Sequence, residues 1–144
     1  MTTTIGAAEL GIDLAHDTER ALFKWLLASW LMGKRIQGDI AANTYRVLVE
    51  KHGLDTPAKL AAQSHRALVR MLGEGHYTRY DESSADRLRS LARALDEQYQ
   101  GKVSAMVDGG EGRNAFEKRL LAFEGVGPKT VEIFMRDAGR VLFP

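Results

Sequence analysis

The chain has 144 residues, of which 44% are hydrophobic and 27% charged, and its formal net charge is +1. That is enough chain for one domain around one core, with the composition of a soluble globular protein. The absence of cysteine excludes disulfides, thiol nucleophiles and cysteine-ligated iron–sulfur clusters. The longest apolar run, residues 25–32, is interrupted by Ser29 and is too short to span a bilayer, and nothing before it reads as a signal peptide.

Apolar residues recur at helical spacing almost throughout, and no stretch alternates with period two, so the spacing predicts an all-α fold. Residues 2–4 are expected to fray ahead of a short helix over 7–15. Asp17 or Thr18 caps a long helix carrying Leu22, Trp25, Leu26, Ser29 and Trp30, which breaks at Gly33. A second helix starts near Asp39 and stops at Gly53. Thr56-Pro57 reads as an N-cap followed by proline at the first helical position, opening a short helix through Leu60. Ser64 caps the next helix, which Gly73 ends. After a turn at Gly75-His76-Tyr77, a helix from Asp81 or Ser83 to Gln100 turns Leu88, Leu91 and Leu95 inward. The glycine-rich stretch 101–112 is expected to be a mobile loop. A last pair of helices is predicted over 113–123 and 128–138, and there is no internal repeat.

Between that last pair lies Phe123-Glu124-Gly125-Val126-Gly127-Pro128-Lys129-Thr130. Two glycines around a small apolar residue permit a sharp turn, and Pro128 suits the first position of the following helix. The N-terminal amides of that helix and the positive end of its dipole would face an anion such as phosphate, with Lys129 adding a full charge. Glu124 opposes such a ligand. Charge along the chain leans the same way: residues 34–80 hold eight basic and four acidic side chains, and residues 113–144 hold six and four.

The octet resembles the helix-hairpin-helix of the endonuclease III family of DNA repair glycosylases, whose turn usually reads Leu-Pro-Gly-Val-Gly-x-Lys. Phe123 stands at the leucine position and Glu124 at the proline position, while Gly125, Val126, Gly127 and Lys129 match. From about Phe23 to Ala138 the order of pieces also resembles the helical-barrel lobe of that family. The resemblance implies one all-α domain made of an N-terminal arm over 1–16, a helical barrel over 17–112 and a helix-hairpin-helix over 113–139. It further implies a base-excision-repair role in the cytoplasm at the nucleoid. The partner would be double-stranded DNA, held largely without regard to sequence through Gly125, Val126, Gly127, Lys129 and Thr130. No membrane, metal, cofactor or iron–sulfur cluster is called for.

In lyase-active members the lysine matching Lys129 attacks the sugar, and an aspartate beyond the second hairpin helix assists. That aspartate is not in the sequence: 139–144 reads as the start of the loop that would carry it, and Asp137 reads as a surface charge beside Arg136 and Arg140. Lys129 is therefore a candidate Schiff-base nucleophile or, alternatively, a phosphate contact. In the loop 33–38, Arg35 or Gln37 matches where relatives push a polar side chain into DNA, the alternative being a solvated basic turn. His76 stands where relatives place an apolar wedge; otherwise it is a surface histidine. His16, His52, His65 and His76 lack metal-ligand spacing. Trp25 and Trp30 read as core, and Gly109-Gly110-Glu111-Gly112 lacks the strand and the Gly-Lys-Ser/Thr of a phosphate loop. Three readings stay open: a glycosylase or abasic-site lyase, a noncatalytic DNA-binding module or fragment of a longer glycosylase, and a helical protein-interaction domain.

Overall fold

A computed structural model describes residues 5–107 and 111–144, so Gly109-Gly110 lie outside the described residues, while the expected mobile loop over 101–112 contains a 3-10 turn, Val103–Met106, whose Val103 and Met106 are buried. The described residues form seven α-helices and no strand. They are α1 (Thr18–Met32), α2 (Gly38–Arg46), α3 (Pro57–Ala61), α4 (His65–Glu74), α5 (Asp81–Tyr99), α6 (Gly112–Leu121) and α7 (Pro128–Leu142).

Helix α1 is the core of the molecule. Leu22, Trp25, Leu26, Trp30 and Leu31 have no exposed surface, and Ala21, Phe23, Leu27 and Ala28 are almost as enclosed. A helix that is apolar around most of its circumference must be covered on several sides. Here α2 and α7 cover it, together with the 3-10 turn Val103–Met106. The Trp25 indole N–H donates to the Phe134 carbonyl at 2.9 Å, so the one polar atom of that side chain is satisfied inside the core. On the other side α5 packs against α3 and α4 through Leu88, Leu91 and Leu95. Tyr77 joins the two halves: its ring is buried and its hydroxyl donates to the Leu31 carbonyl at 3.1 Å, and burial raises its pKa.

Both hydroxyl caps form as the sequence suggests. Thr56 Oγ1 accepts from the Lys59 amide and Ser64 Oγ accepts from the Ala67 amide. Three expectations are corrected, and the stop of the second helix at Gly53 is met through a π turn. The segment 7–15 contains only a 3-10 turn, Ala8–Leu10, ended by Gly11 at φ +74°. Asp17 precedes α1 in a left-handed conformation and makes no side-chain cap. Helix α2 passes into a π turn, Val47–Lys51, before Gly53 at φ +70° ends it. Gly73 lies inside α4 rather than after it.

The fourth helix is also tied to the fifth by charge. His65 Nδ1 lies 2.7 Å from Asp86 and Nε2 lies 3.4 Å from Glu82. The hydrogen bond to Glu82, then that to Asp86, raises the His65 pKa above the ordinary histidine value. A raised folded-state pKa means that this contribution to stability is present in full below the ordinary histidine pKa. It is lost as pH rises through the elevated one. Urea midpoints should therefore fall as pH is raised through that window, and His65→Gln should flatten this part of the profile. An unchanged slope in the variant would exclude His65 as its source.

Candidate nucleic-acid interface

Helices α6 and α7 are joined by residues 122–127. The Val126 N–H donates to the Phe123 carbonyl at 3.1 Å, closing a four-residue turn with Gly125 at φ +86° in its third place. That position in such a turn needs a positive φ, which is why a glycine stands there. Phe123 and Val126 are both buried, Val126 to 6% exposure, and they anchor the turn to the core. Gly127 is extended and Pro128 begins α7, as proline at a first helical position suggests.

The two glycines face different surroundings. A Cβ on Gly125 would meet Arg87 Cδ at 3.0 Å and Trp30 Nε1 at 3.3 Å, whereas one on Gly127 would meet nothing within 4 Å. The inner side of the turn is therefore packed and the outer side is open. The Val126 amide is used by the turn itself. The amides of Gly127, Lys129 and Thr130 make no hydrogen bond to any described residue, and they stand at the positive end of a 15-residue helix.

Lys129 is 59% exposed at its side chain, with Nζ 3.8 Å from Glu132, which also accepts from Arg136 at 3.1 Å. Among the described residues no aspartate is paired with it. Asp137, expected as a surface charge beside Arg136 and Arg140, does pair with Arg140 at 3.0 Å and in addition accepts from the Ala7 amide at 2.9 Å. The stretch 139–142 is not a loop. Helix α7 continues to Leu142, with Gly139 buried 3.2 Å, at its would-be Cβ, from the Arg113 guanidinium.

The loop after α1 meets the hairpin directly. Lys34 Nζ donates to the Gly125 carbonyl at 2.6 Å and lies 4.5 Å over the Trp30 ring. A Cβ on Gly33 would fall 2.2 Å from Thr130 Oγ1, so only glycine lets the end of α1 come this close to the start of α7. Beside this junction lies a cleft of about 290 Å³ lined by Gly33, Lys34, Arg35, Tyr80, Ser83, Ser84 and Arg87. Lys34 has a lowered pKa, first because it is partly buried and second because Arg87 is near.

Of the residues singled out from sequence, Arg35 lines the cleft, and Lys129 and Thr130 stand at the adjoining helix start. Gln37, exposed just before α2, and His76, exposed at φ +66°, do not line it. Arg87, Ser83, Ser84 and Tyr80 were missed, although the spacing 80, 83, 84, 87 puts them on one helical face. Among the described residues no group of three His, Cys, Asp or Glu side chains could hold a metal, and no helix is long and apolar enough to cross a membrane. No family model, no curated protein and no solved structure matches the chain.

Proposed function

We propose that this chain binds the phosphate backbone of duplex DNA through the turn between α6 and α7, as a helix-hairpin-helix module of the base-excision-repair type. One observation carries the reading. The unpaired amides of Gly127 and Lys129 stand at the start of α7 with the exposed Lys129 amine beside them, Lys34 is bonded to the Gly125 carbonyl of the same turn, and Thr130 is buried behind them. Partial charges from the helix and full charges from the side chains then act on the same anion, and neither requires a particular base.

Binding measured by fluorescence anisotropy on a random-sequence duplex should weaken steeply with salt. Lys129→Ala should lower the slope of log K against log salt by about 0.9, the share of one phosphate contact. Duplex DNA that leaves the anisotropy unchanged at low salt would sink the reading and favour a protein-interaction domain.

Solvent exposure of the Lys129 amine favours a second reading, in which it attacks the aldehyde of an abasic sugar. The carbonyl carbon would gain a C=N bond, and its oxygen would leave as water. Borohydride should then trap a covalent adduct on abasic DNA that Lys129→Ala abolishes. A protein that binds without an adduct is the noncatalytic module.

A further inference from the structure

We propose that the cleft between the loop after α1 and the start of α5 holds a phosphomonoester carried by a nucleoside, which on DNA is a phosphorylated strand end. The inference rests on the nucleic-acid reading of the adjoining hairpin and adds a ligand to it. Lys34, Arg35 and Arg87 all line the cleft, and none is paired with a carboxylate among the described residues. Lys34 instead donates to a neutral carbonyl, that of Gly125.

The acidic residues of the same helix point elsewhere. Glu82 and Asp86 are engaged by His65 on α4, and Asp81 accepts from the Glu82 amide. Ser83, Ser84 and Arg87 line the cleft, where the Ser83 hydroxyl donates to the Tyr80 carbonyl at 3.2 Å and Ser84 is buried, which leaves Arg87 as the group this helix offers. Three cations in a concave space suit a compact dianion better than the single charge of an internal phosphodiester.

Tyr80 supplies the nucleoside part. It is 49% exposed at the rim of the cleft, in a left-handed conformation at φ +68° that bulky side chains rarely adopt. Arg79 lies 5.1 Å over one face of its ring, so a base stacks on the opposite face.

The test uses the full chain and three fluorescent duplexes of one sequence: one bearing a 5′-phosphate at a recessed end, one with a 5′-hydroxyl there, and one closed by loops at both ends. The phosphorylated end should bind about tenfold more tightly than the other two. Tyr80→Asn should erase most of that preference while leaving affinity for the closed duplex intact, and Arg87→Gln should weaken binding of the phosphorylated end far more than that of the closed duplex. Asparagine tolerates the left-handed backbone, so Tyr80→Asn keeps the fold. Equal binding of all three duplexes would overturn the proposal while leaving the hairpin reading standing; no binding to any would remove both. A free deoxynucleoside monophosphate should compete only weakly. Strong competition by it, without any preference for the phosphorylated end, would assign the cleft to a free nucleotide and overturn the strand-end assignment.

Discussion

Trp25→Ala is expected to destabilise the protein by about 3–5 kcal/mol, the usual cost of truncating a fully buried aromatic residue. Trp25 has no exposed surface and lies on the central helix, against the last helix. Losing its indole N–H also removes a buried hydrogen bond to the Phe134 carbonyl, worth about 1 kcal/mol. Against a total stability of roughly 5–15 kcal/mol, the variant should melt well below the parent or fail to accumulate. Trp25→Phe separates the two effects, since it keeps most of the ring volume and removes the donor. A thermal melt placing Trp25→Ala within a degree or two of the parent would contradict the packing of α1 against α7.

A second large effect is expected at Gly75, and its neighbour Gly73 should respond with the opposite sign. The end of α4 presses onto α2 so closely that a Cβ on Gly75 would fall 2.7 Å from the Thr44 Cα and 2.3 Å from Thr44 Oγ1. The obstructing atoms include backbone, which cannot swing aside, so Gly75→Ala should cost about 1–3 kcal/mol at least. It would also disturb the 3.3 Å hydrogen bond from Thr44 Oγ1 to the Gly75 carbonyl. Gly73 lies within the same helix with nothing within 4 Å of its would-be Cβ, so alanine there should stabilise by about 0.5–1 kcal/mol. Urea unfolding of the two single variants measures both. Equal midpoints would mean that the α2–α4 approach is looser than described.

What could be read from the amino-acid order was mostly local. Thr56-Pro57 and Ser64 announce helix starts because a hydroxyl reaches an amide three residues on, and both do so here. The apolar run through Trp25 and Trp30 marks a helix covered on several sides for the same local reason. The corrections come from longer range. Gly139 looks like a stop signal, yet it lies within α7 because its missing Cβ leaves room for the Arg113 guanidinium. The basic cleft combines residues 33–35 with residues 80–87 beside the turn at 125, and no periodicity within one segment reveals that meeting. Lys34 shows the limit well: beside Arg35 it reads as solvated charge, whereas its amine is fixed to a carbonyl 91 residues away.

The bond from the Ala7 amide to Asp137 bridges 130 positions of chain. Closing so long a loop is entropically costly until the intervening helices have already come together, which marks this contact as late in assembly. The arm and the helix after the turn at Gly125 are thereby zipped to each other. Loosening either one frees the other, so early melting should begin at both extremities at once.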